Sequence, residues 1–184
     1  DAIADDLRVR GAANVFTSSF RAEDRDGHGP LVAAVWQTLG HVDVALVAYG
    51  TMPDQAACDS KPETAAESLA TNVISLALML GWLASRFHAQ QFGALGVISS
   101  VAGDRGRKSN YVYGAAKAFV STYASGLRHR LHDRRVRVTL IKPGFVDTPM
   151  TAHLPKGPLW ASADKAGRLI VRALDRAAGT VYVP

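Results

Sequence analysis

LGVISSVAGDRGRKSNYVYGAAKAFVSTYASGLRHRLHDRRVRVTLI, residues 95–141, decides the fold. It opens on a short apolar strand, Leu95 to Ser99. A charged loop follows, then a helical stretch from about Ser109 to His132, and the segment ends in a second apolar strand, Val136 to Ile141, which Pro143-Gly144 breaks. A helix of more than ten residues between the two strands makes a parallel crossover, which implies a sheet covered on both faces. Outward from this unit the same pattern repeats. On the C-terminal side a helix is expected near Asp164 to Ala177 and a strand at Thr180 to Val183. On the N-terminal side VDVALV, Val42 to Val47, is a buried strand, and a long helix runs from about Glu63 to Gln91 after a loop holding Pro53 and Pro62. Further upstream come a helix over Asp1 to Arg10 closed by Gly11, a short strand at Ala13 to Thr17, a turn at Gly27 to Gly29, and the helix LVAAVWQTL closed by Gly40. The whole is expected to be an α/β doubly wound parallel sheet, Rossmann-like and three-layered.

Ligands of such sheets bind beyond the carboxyl ends of the strands, which directs attention to the residues after Val47, Ser99 and Ile141. Ser100 lies at one of these ends, and thirteen residues later Tyr113 is followed by Gly-Ala-Ala and Lys117. A tyrosine and a lysine four apart share one helix face. A free phenol titrates near pH 10, and an ammonium about 4 Å away would favour the phenolate by up to about 4 kcal/mol at an effective dielectric of 20, bringing it toward neutral pH. A Ser100 hydroxyl facing the same crevice could hold a carbonyl oxygen as charge develops on it. No side chain supplies hydride, so a redox reaction here needs a cofactor.

The residues SSVAG (99–103), YGAAK (113–117) and PGFVDTPM (143–150), in this order on these elements, resemble the short-chain dehydrogenase/reductase family. The resemblance implies NAD or NADP as cofactor and hydride transfer between the nicotinamide and an alcohol/ketone pair. It implies Ser100, Tyr113 and Lys117 as the catalytic core, with Lys117 and Tyr113 also at the nicotinamide ribose. Asn72, in LATNVIS, matches the asparagine that holds a water linking the lysine to solvent. Gly50 is the one residue of the Asn-Asn-Ala-Gly pattern retained in VAYG (47–50), and Pro143, Gly144, Val146 and Thr148 match the segment lining the nicotinamide. Ser19 stands where the family often has an aspartate near the adenine. The family's opening strand, its Thr-Gly-x-x-x-Gly-x-Gly turn and the next helix have no counterpart, so the sequence is expected to be a fragment lacking the first βαβ segment.

Arg105, Arg107 and Lys108 in the loop GDRGRKSN read either as solvated charge or as the contact for an anionic substrate. This loop and TPMTAHLPKGPLWA resemble the branch that includes the decaprenylphosphoryl-ribose keto-reductase subunit, which implies a phosphorylated or lipid-linked sugar. Within helix 63–91 the stretch Val73 to Leu83 is apolar nearly all round, and in the family this helix often pairs with the helix at 109–132, implying a homodimer or homotetramer. A non-catalytic scaffold or regulatory dimer would keep the same fold and interface.

Bulk properties bound the remaining readings. The 184 residues, 48% hydrophobic, fit one domain over 1–184. Cys58 is the only cysteine and no secretory leader is visible, which makes the cytoplasm the expected compartment. Ser75 and Gly81 interrupt the apolar run Val73 to Ala84, too short for a transmembrane helix. The net charge is +5, and its densest basic stretch is Arg128 to Arg137. No nucleic-acid motif accompanies that stretch, and basic residues near a helix C-terminus complement its dipole, so no nucleic acid is expected. The six histidines lack metal-ligand spacing with acidic residues or Cys58, and no metal is expected.

Overall fold

A computed structural model describes residues 2–184. Four parallel strands form the main sheet, in the order β1 (Val44–Val47), β2 (Gly93–Ile98), β3 (Val136–Pro143) and β6 (Thr180–Val183). Val47 pairs in register with Val97, Ile98 with Ile141 and Pro143 with Val183, so the carboxyl ends open along one rim. Successive side chains of β2 point to opposite faces. Leu95 and Val97 enter the larger core, which is built with α2 (His28–Leu39), α5 (Leu76–Gln90) and α6 (Tyr111–Leu131). Ile141 and Val183 point to the other face, where α7 (Ala163–Asp175) covers them with Ala166. These are the three layers expected.

Several segments depart from the sequence reading. Ala13 to Thr17 forms no strand, because no neighbour supplies the N–H and C=O groups that a strand needs; it runs as irregular chain after α1 (Ala2–Val9). His28 and Gly29, expected in a turn, form the first turn of α2, with Pro30 in that turn where its missing N–H costs nothing. The loop between Pro53 and Pro62 contains a short helix, α3 (Gln55–Ser60), capped by Asp54, whose carboxylate accepts the Ala56 N–H at 2.9 Å. A small second sheet pairs β4 (Phe145–Asp147) with β5 (Trp160–Ser162) just beyond the rim.

The long helix is one continuous run, Pro62–Gln90, interrupted by a π-helical turn: α4 (Pro62–Leu69), then Ala70–Ser75 with the wider turn, then α5. With 29 residues and a mean hydropathy of 1.5 over its apolar window, it is long and apolar enough to cross a membrane by length and composition, beyond what the Val73 to Ala84 run suggested. Its inner side is committed to the core instead. Leu80, Ala84 and Phe87 are wholly buried, and Leu76 nearly so.

Phe87 anchors this helix. Its ring meets Trp36 of α2 edge-on at 5.4 Å, and it lies so close to Gly93 that a Cβ there would come within 2.5 Å of it. Phe87→Ala should therefore lower the unfolding free energy by about 3–5 kcal/mol in a chemical denaturation experiment, since cavity and lost transfer energy add at a wholly buried ring. A loss below about 1 kcal/mol would mean that the site collapses around the smaller residue.

Candidate active site

The rim residues come together between the ends of β1 and β2 and the first turns of α6. Ser99, buried at the end of β2, donates to the backbone carbonyl of Lys117 at 2.9 Å, and Ser121, one helical turn further along α6, donates to the same carbonyl at 2.8 Å. This hydroxyl pair ties the strand end to the helix. Ser100 then caps a 3-10 turn, Val101–Asp104, with its Oγ accepting the Ala102 N–H at 3.1 Å. The turn lies directly against α6. A Cβ on Gly103 would meet the backbone of Lys117 and Ala118 at 2.7 Å, and one on Gly114 would meet the Ala102 carbonyl at 2.8 Å, so only glycine allows this approach at either position.

That approach places Ser100 against the catalytic-type pair. Its hydroxyl faces the Tyr113 phenol closely enough to lower the phenol's pKa. Tyr113 and Lys117 are both buried, with the Lys117 Nζ 5.6 Å from the centre of the Tyr113 ring. Lys117 donates to the Ile98 carbonyl at 3.2 Å. Burial raises the Tyr113 phenol above its usual pKa, and the Ser100 hydroxyl partly offsets this. The lowering expected from a lysine at about 4 Å is not the dominant effect here: burial is the largest influence on the phenol, and the ammonium is itself destabilised by desolvation. Desolvation brings Lys117 down to about 8.

Asn72 and Gly50 complete this side. Asn72 sits wholly buried in the π-helical turn. Its Oδ1 accepts the Thr51 N–H at 2.9 Å, and its Nδ2 donates to the Thr51 carbonyl at 2.9 Å and to the hydroxyls of Thr51 and Ser68 at 3.1 Å each. The side chain is thus held by the loop after β1 and by α4. Gly50 lies between Asn72 and Lys117: a Cβ on it would come within 2.7 Å of Asn72 Oδ1 and 3.6 Å of Lys117 Nζ. This bare backbone beside a lysine ammonium is a cradle that a side chain would fill.

Across the rim, Pro143 ends β3 and the Gly144 N–H donates to the Val183 carbonyl at 2.8 Å. Val146 belongs to β4 and packs against the α7-side core. Thr148 caps the short turn Pro149–Thr151, and its N–H donates to Thr151 Oγ1 at 3.2 Å. Arg105 and Lys108 are exposed and Arg107 half-buried; none forms an ion pair among the described residues. Lys108 lines a shallow cleft with Asp54, Gln55, Ala56, Asp59 and Ser109. Ser19 borders a separate cleft with Phe20, Arg21 and Leu31. Sequence reasoning missed Ser99, Thr51 and Ser68, which hold the site residues from behind. Only the second serine of the Ser-Ser pair carries a signal for chemistry, and the other contacts join segments far apart in the chain.

Comparison with known proteins bears on the family and the fold. Residues 1–158 match the short chain dehydrogenase family. The chain is 37% identical over 178 residues to an uncharacterized oxidoreductase of Mycobacterium tuberculosis, covering 97% of this chain and 72% of that protein. It is 34% identical over 190 residues to an uncharacterized oxidoreductase of Streptomyces coelicolor, covering 98% and 71% respectively. Its fold superposes on a 3-oxoacyl-[acyl-carrier protein] reductase of Brucella melitensis solved with NAD, with a TM-score of 0.84 at 20% identity over 100% of this chain and 81% of that one. A short chain dehydrogenase of Burkholderia cenocepacia solved with NADP gives a TM-score of 0.83 at 20% identity, covering 94% and 70%. With family-specific motifs gathered at one sheet rim and a family match over most of its length, the chain belongs to the short-chain dehydrogenases.

Proposed function

We propose that this protein is an NAD(P)-dependent oxidoreductase interconverting an alcohol and a ketone, with Tyr113 as the proton-transfer group. The observation that carries this reading is the convergence of Ser100, Tyr113, Lys117 and the Gly50 cradle at one rim of a parallel sheet. Gly50, Lys117 and Tyr113 fit the ribose end of a nicotinamide nucleotide, and Pro143, Gly144, Val146 and Thr148 would form the opposite wall. The nicotinamide, when bound, supplies or accepts the hydride. The chain's own residues manage the proton and the oxygen. In the reducing direction Tyr113, kept protonated by burial, donates its phenolic proton to the oxygen that becomes the alcohol. Ser100 hydrogen-bonds the same oxygen, its Oγ oriented by the Ala102 N–H. Lys117 stabilises the phenolate left behind, and the reverse reaction retraces these steps. Asn72 holds the loop carrying Gly50 and stands in the π-helical turn beside it, where a relay water linking Lys117 to solvent would be held.

Arg105 and Arg107 are free to meet an anionic substrate, such as a phosphorylated or lipid-linked sugar, and this is the substrate class we favour. Lys108 is the weaker contributor, since Asp54 and Asp59 share its cleft. The partly exposed Leu69, Ile74 and Trp82 along the long helix support assembly as a homodimer or homotetramer through helices 63–91 and 109–132.

Two measurements test the proposed chemistry. Tyr113→Phe removes the proton but little volume, so turnover of NAD(P)H with a ketone substrate should fall by about 100-fold or more while nucleotide binding, read by tryptophan fluorescence, persists. Unchanged turnover would sink the assignment. Lys117→Met addresses the cost of the buried ammonium. The Lys117 pKa falls from 10.5 in the unfolded chain to about 8 in the fold, so between these values the unfolded state binds more protons and stability rises with pH. Below pH 8 the full cost, about 3 kcal/mol, is present, and Lys117→Met should raise the unfolding free energy of the cofactor-free protein by roughly that much. The gain should shrink through this window and vanish above it. A gain that does not change with pH would show that packing, not charge, sets the difference.

A further inference from the structure

We propose that Gln55 is a positioning residue for Tyr113, acting as a cap supplied to the α6 helix from another element. The first N–H groups of any helix lack partners within it and need acceptors from elsewhere. Asn110 occupies the cap position of α6 and is a preferred residue there, yet its side chain accepts no helix N–H. Its Oδ1 is buried with no partner among the described residues. The acceptor comes instead from α3, 57 positions away in sequence: Gln55 Oε1 takes the N–H of Val112, the residue before Tyr113, at 3.1 Å.

The Gln55 side chain is buried and held at both ends. Its Nε2 donates to Asp59 Oδ1 at 2.9 Å, and the Tyr111 phenol donates to the same oxygen at 2.7 Å. Because a carboxylate can only accept, Nε2 must face Asp59 and Oε1 must face Val112, which fixes the amide orientation. These two bonds hold Asp59 below the usual carboxylate range, so the anchor stays charged across neutral pH. Asp54 caps α3 in turn, making the support rigid. The result is a bridge from α3 to both residues that precede Tyr113. If the cap is lost, the first turn of α6 loosens and the phenol drifts from Ser100, while the Gly50 cradle keeps its own brace, the Asn72 bonds to Thr51.

This inference rests on the proton-transfer role of Tyr113, and its test separates the two. In the intact protein Gln55→Leu should lower kcat about 10- to 100-fold, as a displacement near 1 Å does, with little change in KM for the nicotinamide nucleotide. Amide hydrogen exchange at Val112 and Tyr113 should accelerate while that of Val120 to Leu127 stays slow. Gln55→Glu sets two carboxylates against each other and should also lower kcat; adding Asp59→Asn returns a donor to that contact and should restore it. Wild-type kcat and wild-type exchange at Val112 in Gln55→Leu would overturn the proposal. So would failure of the double variant, Gln55→Glu with Asp59→Asn, to recover activity in a folded protein. Should Tyr113→Phe retain turnover, the reaction assignment falls, and exchange at Val112 still decides whether Gln55 caps the helix.

Discussion

The contact between the end of β2 and the middle of α6 is the constraint on which the rest of the site depends. Two serine hydroxyls converge on the Lys117 carbonyl, and the 3-10 turn after Ser100 lies so close to the helix that glycine is needed on both sides. Each hydrogen bond contributes only about 1 kcal/mol net, so the contact is not strong in the sense of stability. Its effect is geometric. It joins Ser100, which caps the turn just beyond a strand, to Tyr113 and Lys117, which belong to a helix. A packed helix and a turn pinned between that helix and the sheet thereby hold the three side chains, and preorganisation of this kind favours a defined proton position.

Electrostatics in the site follow from that packing. Bringing α6 hard against the sheet buries both the phenol and the ammonium, which pushes the first up and the second down. The two shifts oppose ionisation of each group. A protonated tyrosine beside a reluctant ammonium is poised to give up a proton only as a negative oxygen forms next to it. The stability given up to bury Lys117 is the counterpart of this arrangement, as functional sites often show.

Most of the sheet and its site were legible in the sequence because they rest on local patterns. LGVIS and VRVTLI are apolar enough to declare covered strands, and Tyr113 and Lys117 sit one helical turn apart by spacing alone; VDVALV, read as buried, forms an edge strand of the described sheet with Val44 and Leu46 exposed. What escaped depends on partners distant in the chain. Ala13 to Thr17 has strand-like composition but no neighbour to pair with. The six residues of α3 are too few for a helical period to register, although Asp54 after Pro53 signals its start. The hold of Thr51 and Ser68 on Asn72, and the reach of Gln55 to Val112, join residues whose proximity no local pattern encodes. The phenol's upward shift was misjudged for a related reason: spacing gives the shared face of Tyr113 and Lys117 but not the depth at which that face is buried.

The π-helical turn at Ala70–Ser75 also governs how this region can change length. Such a turn amounts to one residue more than an α-helix requires, inserted into an otherwise regular run. Excising a single residue there would leave a more regular helix with α4 and α5 keeping roughly their present faces, but it would close the wider turn in which Asn72 is held. The loop carrying Gly50 would then lose its brace. Local regularity and site geometry are therefore in conflict at this point in the chain, and the less regular helix is the one that can line the crevice.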